Sequence, residues 1–359
     1  MKIAVLGAGP AGSTFAYWVK KLHPSWEVDL YEMRKSPKSV CAGALGFHAI
    51  NKIRKIIPGK IIRHAQESDI FSVKMVLEGK KKYSATINSY DYNLPAGIVV
   101  NRVQFDLLLL DLATDYDVNY FPETPATPIN GKTVLVGKPG ERREMKYDLV
   151  VDARGSEGYH ELWDSKIHVL EQYFVGENID PSMIYIFFNF DVIKLGYLWI
   201  IPGHGYDKIG YGEIVSEYSK NSEKYREYVM SKIENREIEF KEGATLPLEG
   251  KVKLVDKGVF KIGTSAGLVN PFTGAGIYYA IESAYNLAKS ITDNKYITYL
   301  KYRGREIVHI NEIRVSKYLR KKLSNEKAML KALKAINGVR IKPEKLYRLV
   351  IKYLPKIIF

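Results

Sequence analysis

The sequence predicts an α/β protein with a three-layer, Rossmann-like dinucleotide-binding domain, an inserted antiparallel-sheet domain and a short helical C-terminal region. Three observations carry this: a strand, glycine turn, helix, strand and acid in register at the start; two later apolar strands that again end in glycine turns; and a run rich in aromatic and β-branched residues between those strands.

The opening unit is KIAVLGAGPAGSTFAYWVKKLHPSWEVDLYEMR, residues 2–34. Ile3, Ala4, Val5 and Leu6 form an apolar run short enough for a buried parallel strand, and Gly7-Ala8-Gly9-Pro10-Ala11-Gly12 breaks it. Phe15, Ala16, Val19 and Leu22 then recur at helical spacing, a second strand runs from Val28 to Tyr31, and Glu32 stands twenty residues after Gly12. Gly7 allows the tight turn, Gly9 lets backbone approach a pyrophosphate, and Gly12 lets the helix pack close to the strand. Unpaired N–H groups and the positive end of the helix dipole attract the phosphates, and Glu32 accepts hydrogen bonds from a ribose. The whole register points to an ADP-containing dinucleotide, where the glycines alone would say little.

The bulk numbers narrow the class. At 359 residues, 46% hydrophobic and 26% charged, the chain is globular and long enough for one large or two medium domains. A single cysteine excludes a disulfide framework and a cysteine-based metal cluster, which fits a reducing compartment. No apolar stretch reaches the roughly 18 residues of a membrane span, and a strand starting at Ile3 leaves no signal peptide, so a cytoplasmic protein is expected. Residues 301–359 hold 17 Lys or Arg against 4 Glu, nearly all of the formal +14. Such a basic region implies an anionic partner surface, membrane or nucleic acid.

After the first unit, SPKSVCAGALGF (36–47) lacks periodicity and reads as a loop containing Cys41, either a small buried hydrophobe or part of the site. His48 to Ile57 is helical, and Ser72 to Ile87 alternates as a hairpin turning near Glu78-Gly79. Ile98-Val99-Val100 ends at Asn101-Arg102 before an apolar helix from Val103 to Ala113, so Arg102 sits at a strand–helix join near the first unit. Asn130-Gly131 is a type I′ hairpin signal, with Met145 to Val151 as the pairing strand; that strand ends in Asp152-Ala153-Arg154-Gly155-Ser156 and returns to the first sheet.

Residues 183–215 form an antiparallel pattern whose Tyr185, Phe187, Tyr197, Trp199 and Tyr211 either line an apolar cavity or make an aromatic core. Tyr218 to Glu237 is a charged surface helix. The last buried strand, Gly258 to Gly263, feeds a glycine-bearing loop through Gly276 into an amphipathic helix from Ile277, a second helix N-terminus suited to an anion or polarised ring. These elements divide the chain into a discontinuous nucleotide domain (1–70, 98–160, 255–295), a substrate-sheet domain (71–97, 161–254) and the basic helical region 296–359.

Taken together, GAGPAG with Glu32, the Arg102 to Asp106 join, the strand ending DARGS and GTSAGLVNPFTGAG resemble FAD-dependent oxidoreductases of the p-hydroxybenzoate hydroxylase fold. Within that group, Cys41-Ala42-Gly43-Ala44-Leu45 and Tyr197-Leu198-Trp199-Ile200-Ile201-Pro202 resemble the two signatures of geranylgeranyl reductases. The resemblance implies FAD held by Gly7, Gly9, Ala11, Gly12, Glu32, Met33 and Arg34, with Arg102 near the pyrophosphate and Ala126 beside the adenine. It implies Thr264, Gly274, Gly276 and Ile277 near the flavin, Cys41 and Ala42 in a loop over it, and Tyr197, Trp199 and Pro202 along a prenyl-chain tunnel. The sequence departs from the family pattern at Thr264 and at Arg154, each standing where an aspartate is usual, and has Ala42 and Ala44 where glycines are usual.

The activity implied is reduction of carbon–carbon double bonds in isoprenoid chains of archaeal-type membrane lipids or their precursors, with FAD reduced by NAD(P)H or another donor. An isolated alkene must be protonated as hydride arrives, and Cys41 is the titratable residue of its loop, with His48 and Tyr197 as lesser candidates. In the tail, Leu346, Leu349, Val350, Tyr353 and Ile357 share a face while Lys345, Arg348, Lys352 and Lys356 lie on others. That pattern suits a helix in an anionic membrane interface at the inner face, and no nucleic-acid motif accompanies it. The alternatives are a flavin-dependent hydroxylase or halogenase, since Tyr197-x-Trp199-x-Ile201-Pro202 is one residue from a halogenase motif, and a membrane-docked electron-transfer flavoprotein.

Overall fold

The computed structural model describes residues 1–37, 40–80, 82–160, 167–340 and 342. One body is built on a six-stranded sheet in the order Val255–Asp256, Val259–Lys261, Leu149–Asp152, Lys2–Leu6, Glu27–Tyr31, Asn119–Phe121. All neighbours run parallel except the first pair. The central strands Lys2–Leu6, Leu149–Asp152 and Val259–Lys261 are short and mostly apolar because both faces are covered. Ile3 and Val5 pack under the helices Pro10–Leu22, Arg102–Thr114 and Ile277–Ala288, while the alternate residues Ala4 and Leu6 pack on Val134, Val136 and Tyr147 of a small antiparallel sheet. Helices, parallel sheet and small sheet make the three layers.

The small sheet corrects one expectation. Its last strand is Arg143–Lys146, so only Met145 and Lys146 of the expected partner segment pair there, opposite Val134 and Thr133, and Leu149–Asp152 passes into the main sheet. The Asn130-Gly131 turn is not type I′, for neither residue has a positive φ. Instead Asn130 Oδ1 accepts from the Lys132 N–H at 2.9 Å, and Gly131 packs directly on the backbone of Gly258, where a side chain would overlap.

The second body is a seven-stranded sheet ordered Ile238–Pro247, Ile167–Gly176, Tyr206–Ile214, Leu198–Pro202, Met183–Phe188, Ser72–Leu77, Tyr83–Asn88. Alternation along these strands decides which aromatic goes where. Tyr185, Phe187, Leu198, Ile200 and Tyr211 face the helix Val215–Ile233 and its Tyr225, Val229 and Ile233. Ile184, Ile186, Phe188, Tyr197, Trp199 and Ile201 line a cavity on the other side. The five aromatics of one sequence run therefore split: Tyr185, Phe187 and Tyr211 are core, and Tyr197 and Trp199 are not.

The C-terminal region ties the bodies together. Asn294 Oδ1 caps the long helix Lys295–Lys322 by accepting from the N–H groups of Tyr296 and Ile297, and Asn325 caps the closing helix Glu326–Ile336. Met329, Ala332, Leu333 and Ile336 recur at helical spacing and pack on Leu77, Ala85, Ile87 and Phe188 of the second sheet. The amphipathic pattern at 345–357 lies outside the described residues. Among the described residues no helix is long and apolar enough to cross a membrane.

One buried network joins the long helix to Ile277–Ala288. His309 Nδ1 lies 2.7 Å from Glu306, and its Nε2 lies 3.0 Å from Glu282 and 3.1 Å from the Tyr278 hydroxyl. Burial alone would lower the imidazole pKa, but hydrogen bonds to the two carboxylates outweigh it and raise the value to about 10. A group whose pKa is raised on folding stabilises fully below its unfolded value near 6.5 and loses that contribution as pH climbs toward about 10. His309→Gln leaves Glu306 buried beside neutral partners and is expected to cost about 3 kcal/mol. In thermal unfolding, the fall in wild-type stability between neutral pH and pH 10 should be steeper than that of the variant; parallel profiles would contradict the assignment.

Candidate active site

The opening strand delivers the chain to a crevice where side chains cannot fit. Gly7 has φ +101°, and a Cβ there would lie 2.6 Å from the Ala153 carbonyl oxygen; a Cβ on Gly12 would overlap the Gly7 carbonyl. Gly9 is different, with nothing within 4 Å of where its side chain would be. The helix Pro10–Leu22 begins there with no side-chain cap and with proline in its first turn, so its N-terminus is left to a ligand. Glu32, buried at the end of the second strand, accepts from the N–H groups of Ala8 at 3.1 Å and Arg34 at 3.0 Å. Open space over Gly9, an uncapped helix and a carboxylate fixed beside them fit the ADP half of FAD.

A cavity of about 1780 Å³ runs from this crevice into the second body. Gly7, Gly9, Ala11, Glu32, Met33, Arg34 and Ala126 line its first part, and Cys41, Ala42, Arg102, Thr264, Gly274, Gly276 and Ile277 its middle. Tyr197 and Trp199 line the far part. Two expected residues lie behind the wall. Gly12 packs helix on strand, and Pro202 shares the opposite face with Leu198 and Ile200 because strand residues alternate. His48, a lesser acid candidate, is also outside the lining, packed against Tyr278, where burial lowers its pKa.

In the middle, Asn270 holds the loop before Gly276, its Oδ1 accepting from Phe272 and Thr273 and its amide donating to Ser316. That loop opens the helix Ile277–Ala288 on Gly276, again without a side-chain cap, so a second helix N-terminus faces the cavity. Thr264 Oγ1 lies next to Gly276, supplying a hydroxyl where a charge was expected. Arg154, the other departure, pairs at 3.0 Å with Asp152, a fully buried carboxylate that also takes Lys261. Burial would raise the Asp152 pKa, and these two cations hold it below the usual range. The arginine has a structural partner within its own strand end.

Around Cys41 the structure adds Lys208 and Glu67, which sequence reasoning missed, to the expected Arg102. Arg102 forks onto Asp106, with three contacts of 3.0 to 3.1 Å, and also reaches the Cys41 thiol. Lys208, buried in the second sheet, donates to the Ala42 carbonyl at 3.1 Å and pairs with Glu67 at 2.6 Å. Glu67 in turn accepts from Tyr206 and from Asn101, the residue that caps the Arg102 helix. No local motif announces this network, since Lys208 is 141 residues from Glu67 and 166 from Ala42.

Beyond Cys41 the lining turns mostly apolar, with Gln172, Glu242 and Arg320 among it. Val73, Met75, Ile184, Ile186, Phe188 and Leu333 surround it, with the Tyr197 hydroxyl donating to the Thr273 carbonyl at 2.6 Å. Burial pushes the Tyr197 pKa up to about 12, so the phenol stays neutral. The Trp199 indole lies across Gly210, where a Cβ would come within 2.5 Å of the ring, and its Nε1 is buried without a partner among the described residues.

This fold is shared with solved structures of flavin-dependent enzymes. A crystal structure of a geranylgeranyl bacteriochlorophyll reductase-like protein from Thermoplasma acidophilum superposes with a TM-score of 0.83 at 19% identity, covering 99% of this chain and 97% of that one. A flavin-dependent brominase follows the same course with a TM-score of 0.67 at 15% identity, over 99% of this chain and 100% of its own. The resemblance to geranylgeranyl reductases holds at the sequence level as well. The chain is 23% identical to the digeranylgeranylglycerophospholipid reductase of Thermoplasma acidophilum across 91% of this chain and 88% of that relative. It is 27% identical to the geranylgeranyl diphosphate reductase of Rhodobacter capsulatus across 77% and 71%. No family model matches the chain.

Two glycines separate folding from cofactor binding. Gly9→Ala should leave the thermal midpoint nearly unchanged while flavin absorbance retained after gel filtration falls at least tenfold, because the added methyl meets only the ligand's space. Gly12→Ala should cost about 3 kcal/mol, since strand and helix must move apart. Equal destabilisation by both would contradict the geometry. Cys41 is the sole cysteine, so iodoacetamide labelling reports on its loop alone. Lys208→Met should make that labelling several-fold faster, and Lys208→Arg should restore the slow rate; no change in either would remove Lys208 from the loop's support.

Proposed function

We propose that this chain is an FAD-dependent reductase that saturates carbon–carbon double bonds in the isoprenoid chains of membrane lipids or their precursors. The observation that carries the reading is the continuity of one cavity, polar and glycine-lined at the dinucleotide crevice and walled past Cys41 mostly by apolar side chains, Val73, Met75, Ile184, Ile186, Phe188 and Leu333 among them, with Gln172, Glu242 and Arg320 at its margins. A long hydrocarbon has room along that apolar stretch. Relatives named as geranylgeranyl reductases support the same reading.

Gly7, Gly9 and Ala11 would hold the pyrophosphate and Glu32 the ribose, with Gly276 and Ile277 at the ring. When bound, reduced FAD supplies hydride to one carbon of the alkene. The other carbon needs a proton, which Cys41 Sγ would give, with the Arg102 guanidinium facing the sulfur as the proton leaves. Tyr197 stays neutral and tied to Thr273, and the apolar part of the wall would exclude water from the reacting carbons. NAD(P)H or another donor would supply the electrons, and a lipid substrate would imply work at the inner face of a membrane.

A flavin-dependent hydroxylase or halogenase is the rival, favoured by the Tyr197-x-Trp199-x-Ile201-Pro202 strand and by the brominase likeness. Anaerobic incubation of the chemically reduced holoprotein with a diether lipid bearing geranylgeranyl chains decides between them. Mass spectrometry should reveal stepwise gains of two hydrogens. Unchanged lipid with brisk oxygen consumption in air would favour the rival. Cys41→Ala should keep its flavin and lower the reduction rate about 100-fold.

A further inference from the structure

We infer that the outward face of the long helix Lys295–Lys322 is a docking surface for an anionic lipid bilayer. The inference rests on the lipid-reducing reading only for its purpose; the helix itself carries the chemistry. Its inner face buries Tyr302, Glu306, His309, Ile313 and Ser316 against the nucleotide domain. A solvated helix shows polar residues on the face opposite. This one shows Tyr296 at 68% exposure, Leu300 at 47%, Ile307 at 56% and Val308 at 57%, with Ile297 and Tyr318 also exposed.

Tyr296, Leu300, Ile307 and Tyr318 return to the same side of the helix, and the exposed Arg303 and Arg314 fall among them at the same spacing. Lys301, Arg305 and Lys317 are exposed on the flanks. The only carboxylates in the helix, Glu306 and Glu312, are both turned inward and buried. The exposed face is therefore apolar and cationic with no acid, the combination that inserts side chains at the headgroup boundary while attracting anionic lipid. A second copy meeting the same face would set cations against cations. Nucleic acid would engage the arginines and leave the large apolar side chains without a role.

The placement suits a lipid-acting site. Arg320 in the last turn, followed by Leu323 and Ser324, lines the cavity, so one helix about 40 Å long leads from the exposed apolar end to the chamber wall.

The test is flotation of the full-length holoprotein with phosphatidylglycerol–phosphatidylcholine vesicles and with phosphatidylcholine alone. Binding should require the anionic lipid, and Leu300→Glu with Ile307→Glu should lower the partition coefficient at least tenfold. Arg303→Gln with Arg314→Gln should weaken binding and flatten its salt dependence. Both double variants should keep wild-type flavin content and wild-type lipid reduction in detergent micelles, which separates docking from catalysis. Vesicle binding that survives both double variants would overturn the proposal, as would a wild-type dimer made monomeric by them, or displacement from vesicles by duplex DNA. Variant-sensitive vesicle binding by a protein that reduces no lipid would uphold the surface and overturn the function alone.

Discussion

The close approach of Gly12 to the Gly7 carbonyl, with Ala153 pressed against both, is the contact on which the remaining architecture depends. It brings the N-terminus of the first helix onto the end of the opening strand, between neighbours Leu149–Asp152 and Glu27–Tyr31. The chain leaves this strand toward Glu27–Tyr31, while Leu149–Asp152 on its other side leads away to Val259–Lys261, and a crevice at such a switch point is where α/β sheets hold nucleotides. With no side chain allowed at Gly7 or Gly12 and none capping the helix, the crevice stays open and its N–H groups stay available.

Building a substrate chamber next to that crevice requires the two bodies to keep a fixed relation, and buried charges contribute to it. Lys208 and Glu67 link the second sheet to the Cys41 loop and to the cap of the Arg102 helix; Asp152, Arg154 and Lys261 lock the strand end beside the crevice. His309 fastens the long helix to the one that begins at Gly276. Buried ion pairs add little net stability compared with apolar packing, but each leaves a costly charge if its partner moves, so they resist small displacements of the site. The apolar side of the chamber is completed by the closing helix, whose Met329, Ala332 and Leu333 face the sheet hairpin at Ser72–Asn88.

Much of this was legible in the sequence because it is written locally. GAGPAG with Glu32 names a crevice through spacing alone, and the returning strand at Leu149–Asp152 is an apolar run ending in glycine. The aromatic stretch was legible as strands, yet period-two alternation gives two faces without saying which one borders a cavity, so Tyr185 and Tyr211 could not be told from Tyr197 and Trp199. Pro202 was misplaced for the same reason. The Lys208–Glu67 link and the wall formed by Leu333 were beyond reach, because residues more than a hundred positions apart meet only through the folded topology. Arg154 looked like a lost contact until Asp152 appeared beside it. The outward face of the long helix was hidden inside a general count of basic residues.

The central claim is that a single cavity takes the dinucleotide at its glycine end and a long hydrocarbon at the other. A crystal structure of the protein with FAD and a geranylgeranyl diether lipid tests it most directly. The account predicts diphosphate density at the N-terminus of Pro10–Leu22, the ring between Cys41 and Ile277, and a prenyl chain between Trp199 and Leu333. Density for the chain outside that chamber, or for the diphosphate away from Gly9, would contradict it.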